Sequence, residues 1–274
     1  MNRQQAPALI FGLLVVLAAV LTSVLSGSAF ARDYRINVGY LPLYAETKDR
    51  GILIDVIKAM GAEYPDGDLH IEVYPFERSI HNVAQGLADL HFPIVGSADW
   101  GAENDPYEDE LRTRGLRRST CSLTKSHFPL YRHRDRPPLD LTRLADYRIE
   151  TDAGHKLFFE FPIQGTTCLP CSVEKLAAKR IDGLVFASRE IDLMIEQAGL
   201  TEVTRQDFRI FGSKFIMPNT AEGDATDAML CAVISRMIRS GTLERVARPY
   251  SAYFLREYGD PYLPTRKDIE KLSP

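Results

Sequence analysis

The chain has 274 residues, with 33 Lys+Arg against 37 Asp+Glu and a formal charge of −4. Hydrophobic residues make up 45% and aromatics 9%, a globular balance that excludes disorder, collagen and coiled coil. The acidic balance also argues against a nucleic-acid binder, which normally presents a basic face.

Residues 1–31 read as an export segment. Arg3 supplies a short positive region, and no charged side chain follows until Arg32. Ala29-Phe30-Ala31 gives the small-x-small pattern of a signal-peptidase site, so the mature chain is expected to start at Arg32. The alternative is an uncleaved anchor, because the apolar run at 8–25 reaches the ~18 residues that can span a bilayer. No cysteine lies near the cleavage point, which argues against a lipid anchor. These features predict a soluble protein exported to the periplasm.

Beyond this segment strand and helix patterns alternate. Ile36, Val38 and Tyr40 alternate with polar or small residues as a half-buried strand. Leu53, Val56, Ile57 and Met60 recur at helical spacing. Leu69, Ile71 and Val73 predict a second strand, Ile80, Val83, Ala84 and Leu87 a second helix, and Leu90, Phe92 and Ile94 a third strand. This β-α-β-α-β order predicts a mainly parallel sheet flanked by helices. From Pro93 to about Ser119 the pattern gives way to a polar stretch, expected to be a functional or mobile loop.

A second α/β run follows. Strands are expected at 147–151, 183–187, 208–212 and 214–218. Val173, Leu176 and Ala177 predict one helix, and Ile191, Met194, Ile195 and Ala198 another. Two helices, about 226–239 and 243–250, close the pattern, with Thr242 a candidate N-cap after Gly241.

Three stretches carry a family resemblance: GYLPLY…GILIDVIKAMG…IEVYPFERSIHNVAQGLADLHF, LADYRIETDAGH…VEKLAAKRIDGLVFASREIDLMIEQAGL and DAMLCAVISRMIRSGTLERVARPY. In order and spacing they resemble the periplasmic solute-binding proteins of family 3, the amino-acid-binding-like kind. The resemblance implies an α/β, two-lobed type II periplasmic binding protein fold with a two-stranded hinge and an interlobe cleft. It implies lobe 1 at 32–122 and 214–274, and lobe 2 at 123–213. It further implies ligand clamping without chemistry, no cofactor, a monomer, and a membrane permease of the ABC importer type or a receptor as partner. Two charged partners of amino-acid binders are absent. No Thr-x-x-Arg follows the third strand, and Ala187 stands where an ammonium-binding Asp is usual. Asp182 remains, at the position of a structural acid. Losing both partners removes charge-assisted bonds to a zwitterion, so a small polar or anionic ligand other than a standard amino acid is expected.

Candidate ligand-binding residues lie at strand ends, where clefts form in such sheets. Tyr40 and Tyr44 follow the first strand, though Tyr40 could equally belong to the core. Phe76 and Arg78 lie between the second strand and its helix. Arg78 could hold a carboxylate, with Ser79 capping the helix, or the stretch could serve a surface salt bridge through Glu77. Trp100, the single tryptophan, could contact ligand or stack on a lobe surface. Thr151, Gly154 and His155 occupy the turn that family binders use for anions. Ser188 and Arg189 follow a later strand, where Arg189 could supply a cleft charge or be solvated. His91 alternates away from the core face and has no second His or Cys at metal-ligand spacing, so no metal site is expected.

The four cysteines, Cys121, Cys168, Cys171 and Cys231, permit disulfides after export, in a pairing the spacing leaves open. Cys168 and Cys171 form a C-x-x-C that could be a small structural bridge or a redox pair. Three other readings stay open: a dehydratase-like or cell-wall-cleaving enzyme on the same scaffold, using Glu77, His91 or His155; a ligand-sensing module for a membrane receptor; and a thiol oxidoreductase.

Overall fold

The computed structural model describes residues 32–41, 44–97 and 106–254. The expected export segment and Trp100 lie outside the described residues. Among the described residues no helix is long and apolar enough to cross a membrane.

The first half builds β1 (Tyr34–Gly39), α1 (Ile52–Ala62), β2 (Leu69–Tyr74), α2 (Phe76–Ala84) and β3 (Leu90–Ser97). The predicted stripe of α1 is the buried one, with Leu53, Val56, Ile57 and Met60 turned to the sheet. Strands β2 and β3 run parallel to β1 on either side of it, as the alternating pattern requires. Leu87, assigned from periodicity to the second helical stripe, instead lies beyond α2 and is 58% exposed.

The polar stretch after β3 is not one loop. It contains α3 (Pro106–Thr113) and β4 (Leu116–Arg118). Its few apolar residues account for this, because Tyr107, Leu111 and Leu116 are all buried in the core. They recur four or five residues apart among charged neighbours, too sparse for a periodicity argument.

The chain then enters β5 (Thr124–His133), followed by β6 (Ile149–Asp152), a 3-10 turn (Ala153–Phe158), β7 (Gln164–Thr166), α4 (Leu169–Ala177), β8 (Gly183–Val185) and α5 (Ser188–Ala198). The two strands expected at 208–212 and 214–218 are one continuous strand, β9 (Val203–Pro218). Helices α6 (Ala221–Ser240) and α7 (Thr242–Phe254) complete the described fold. Gly241 adopts a left-handed φ of 72° between them, a conformation glycine reaches without a Cβ clash.

The nine strands among the described residues share one sheet, in the order β2-β1-β3-β9-β5-β8-β6-β7, with β4 also on β9. The sheet divides at the two long strands. At its C-terminal end β9 pairs antiparallel with β3 and β4, while β5 carries the other side through an antiparallel pairing with β8. Strands β5 and β9 pair from Thr124↔Ser213 to His133↔Val203 and join the two halves. Two apolar cores result. One gathers Ile36, Val38, Ile57, Phe215 and Val233 on the β1–α6 side. The other includes Phe128, Leu130, Leu176, Leu184 and Ile191 around β5 and β8 and extends to Tyr107 and Leu111 of α3.

The described cysteines form two disulfides, Cys121–Cys231 and Cys168–Cys171. The first ties the segment before β5 to α6, so it links the entry to the two-strand connection with the closing helices. The acid expected to be structural, Asp182, accepts from the Arg148 backbone N–H at 2.9 Å and pairs with Arg136.

Candidate functional site

Between the two halves lies a cavity of about 880 Å³. Its floor comes from the connecting strands, through Thr124, Lys125 and Ser126 of β5 and Ser213 of β9. Its walls come from both halves. Tyr40, Tyr44, Phe76 and Ile94 face it from one side, and Phe128, His155, Phe186, Leu193 and Met194 from the other. The lining is mostly apolar and aromatic, with charged groups set among these side chains.

Six expected site residues line this cavity: Tyr40, Tyr44, Phe76, Gly154, His155 and Arg189. Tyr40 is 50% exposed, which separates it from the buried alternating set of β1. Phe76 begins α2 and meets the His91 ring edge-on at 5.1 Å. The Arg189 guanidinium stands 5.8 Å from the centre of the Tyr44 ring, so these two side chains meet across the cavity.

Three others are placed elsewhere. Arg78 is exposed on α2 and does not line the cavity. Thr151 is fully buried behind the turn, and its hydroxyl has no hydrogen-bond partner among the described residues. Ser188 starts α5, and its carbonyl accepts from the Tyr131 hydroxyl at 2.9 Å. Ser79 does not cap α2, whose N-cap is Pro75; it sits one turn in, fully buried.

The turn after β6 is organised by Asp152. Its carboxylate accepts from the Gly154 N–H at 2.9 Å and lies 3.1 Å from His155 Nδ1. Burial pushes the Asp152 carboxyl up, but the His155 contact and the Gly154 N–H outweigh it and hold its pKa below the usual range. An ionised carboxylate only accepts, so Nδ1 carries the proton in this contact. The turn's Gly154 N–H is thus already occupied by an acid of the chain itself, which disfavours the anion contact expected there. His155 is ringed by Phe128, Phe158 and Phe186 at 6.2, 5.1 and 4.9 Å, with Phe76 at 6.3 Å from the opposite wall.

His91 departs from its strand reading. It is fully buried, because the side of β3 opposite the β1 core is itself covered by α2. Its Nε2 lies 3.1 Å from the Pro93 carbonyl, which can only accept, so Nε2 is the donor. Nδ1 must then accept from the Ser79 hydroxyl at 2.6 Å. Both ring nitrogens are used, and burial lowers its pKa to about 3. His91 is a neutral structural histidine at physiological pH.

Several wall residues lie outside the expected set. On α5, Glu190, Leu193, Met194 and Gln197 form an i, i+3, i+4, i+7 stripe along the cavity. Sequence periodicity predicts the stripe of Ile191, Met194, Ile195 and Ala198, of which Ile191 is buried in the core of this half while Met194 also lines the cavity. Burial raises the Glu190 carboxyl to about 7, and its Oε2 lacks a hydrogen-bond partner among the described residues. The available signal was Leu193, an apolar residue outside the predicted stripe and adjacent to its Met194.

A further bridge lies outside the connecting strands. Tyr107 of α3 meets Phe158 of the 3-10 turn edge-on at 5.0 Å. Arg118 of β4 lies over both rings, at 5.5 and 6.0 Å from their centres, and its Nε donates to Glu108 at 3.1 Å.

No protein-family model and no curated protein sequence matches the chain. Solved structures do. A histidine kinase sensor domain with similarity to periplasmic binding proteins aligns with a TM-score of 0.58 and 14% identity, over 80% of this chain and 96% of that one. The GluR0 ligand-binding core from Nostoc punctiforme, in complex with L-glutamate, gives 0.57 and 13%, over 79% and 98%. A structure from a study of glutathione import through GshT and the cystine importer TcyBC of Streptococcus mutans gives 0.58 and 15%, over 87% and 100%. These likenesses show the fold: a two-lobed type II periplasmic binding protein fold, in which β5 and β9 join the two halves and the cavity lies between them.

Proposed function

We propose that this protein is an exported, non-enzymatic binding protein that closes its two lobes over a small ligand. The observation that carries the reading is the cavity of about 880 Å³, walled by both lobes and floored by the strands that join them. A ligand touching both walls stabilises the closed arrangement by its differential affinity for it. We take lobe 1 as 32–122 with 214–274 and lobe 2 as 123–213, the chain crossing on β5 and returning on β9.

The wall chemistry refines the expected ligand. Tyr40, Tyr44, Phe76, Phe128 and Phe186 favour an apolar or aromatic body, held by a few polar groups that set its orientation. Arg189 and Lys125 would receive an anionic or acceptor end. The volume lies in the range of about 300–1,000 Å³ that suits small-molecule sites. The enzyme reading loses one of its three candidate groups, because His91 is sealed and both its ring nitrogens are engaged. An ABC importer and a membrane sensor would both read the same closed shape, and the sensor-domain likeness keeps the second in view.

The test is a thermal-shift screen of metabolites coupled to small-angle scattering. A true ligand raises the melting temperature with the logarithm of its concentration and contracts the molecule without turnover. A screen across aromatic, aliphatic and charged solutes that yields neither effect would falsify the reading.

A further inference from the structure

The two disulfides differ in ways that matter chemically. Cys121 is fully buried, and its bond to Cys231 spans 110 residues. Cys168 and Cys171 are three residues apart, and Cys171 is exposed. A bridge across three residues closes almost no chain, so opening it removes little constraint from the unfolded state. The folded protein can therefore lose this bond and remain folded.

The local geometry also favours its opening. Cys168 is the N-cap of α4, and its sulfur accepts from the Cys171 backbone N–H at 3.3 Å. That N–H and the positive end of the nine-residue helix would stabilise negative charge on Cys168 after the bond breaks. The Cys168 backbone is held separately, its N–H donating to the Thr166 hydroxyl at 3.1 Å. Exposure and leaving-group stabilisation thus fall on different sulfurs: Cys171 can be reached, and Cys168 can leave.

We propose that Cys168–Cys171 is a thiol–disulfide exchange site open to small-molecule thiols in the folded protein, and that its state sets one wall of the ligand cleft. In the first step a small thiolate attacks Cys171 Sγ. The Cys168–Cys171 bond breaks, and its electron pair leaves on Cys168 as a thiolate. A second thiolate attacks the small-molecule sulfur of the mixed disulfide, giving a symmetric small-molecule disulfide and the Cys171 thiolate. Two electrons pass from two small thiols to the pair, and the released protons go to solvent or to the new thiols. The link to the cleft is Leu169, which lies between the two cysteines and lines the cavity. Opening the bridge releases the turn that holds Leu169 against the wall.

The test uses the intact folded protein with glutathione as the probe, quenched by alkylation and read by peptide mass spectrometry. At concentrations that leave the circular dichroism unchanged, Cys168 and Cys171 are expected to be reduced and labelled at least tenfold faster than Cys121 and Cys231. The trapped mixed disulfide should sit on Cys171, with Cys168 alkylated. Hydrogen exchange of 168–172 should rise at least tenfold on reduction while that of β5 stays constant. Labelling of all four cysteines only on unfolding, or an adduct on Cys168, would overturn the exchange site. Unchanged exchange at 168–172 in the reduced protein would overturn the coupling to the cleft. None of these readouts needs a cleft ligand, so they stand apart from the clamp reading.

Discussion

A buried and a partly buried titrating group pull stability in opposite directions with pH, and one substitution separates them. The folded-state pKa of His91 is about 3, against 6.5 for an unperturbed histidine. Below pH 6.5 the unfolded chain gains a proton that the folded chain refuses, so acidification destabilises the fold. For Glu190 the folded value is about 7, against 4.5 unperturbed. Between those values the folded chain keeps a proton that the unfolded chain loses, so stability falls as pH rises. From pH 6.5 down to pH 4.5, His91 removes about 2 kcal/mol and Glu190 restores about 2 kcal/mol, at about 1.4 kcal/mol per proton per pH unit. The parent protein should therefore show little slope from this pair. Glu190→Gln abolishes one arm. Its stability relative to the parent, from urea unfolding followed by circular dichroism, should rise by about 2 kcal/mol between pH 4.5 and 6.5. Asp192 and His127 shift in directions that add to Glu190 and His91 respectively, but both are present in parent and variant. Parallel stability profiles for the two proteins, within about 0.5 kcal/mol, would show that Glu190 titrates like an exposed carboxylate and that the burial argument is wrong.

Other outcomes follow from the same physics. Replacing Cys121 and Cys231 together with serine frees a loop of 110 residues and should cost about 4–5 kcal/mol, read as a lowered urea midpoint. Gly223→Ala should be more severe than an ordinary helix substitution. A Cβ there would stand 1.8 Å from the Pro218 carbonyl oxygen, so backbone must move; a loss of about 3 kcal/mol is expected, and a neutral melting temperature would refute it. Tyr107→Ala removes the ring that meets Phe158 and Arg118. Scattering should then show wider lobe separation at an unchanged far-ultraviolet spectrum, whereas an unaltered profile would mean that the bridge does not restrain the lobes.

Much of the frame was readable before folding is considered. Alternation in Ile36, Val38 and Leu69, Ile71, Val73 can serve only a pleated strand with one face turned inward, and the Leu53–Met60 spacing only a helix with one apolar stripe. These are properties of a chain a few residues long. The order of such elements then predicted a mainly parallel sheet under helices, which holds for β1 with β2 and β3 and for β6 with β7 and β8. The antiparallel pairings of β5 and β9 that join the two halves, by contrast, left no local signal. What local pattern could not supply was everything set by contacts distant in sequence. His91 is buried because α2 covers its side of β3, and Arg78 is exposed because its helix turns Ser79 and Ile80 to the core instead. Glu190 reaches the cleft through the second face of α5, which no periodicity rule could rank above the first. The cysteine pairing likewise needed coordinates, since Cys121 meets Cys231 only once α6 packs against the segment that precedes β5. Sequence spacing reports a residue's neighbours within one element; which face of that element meets solvent, core or ligand depends on what the rest of the chain lays against it.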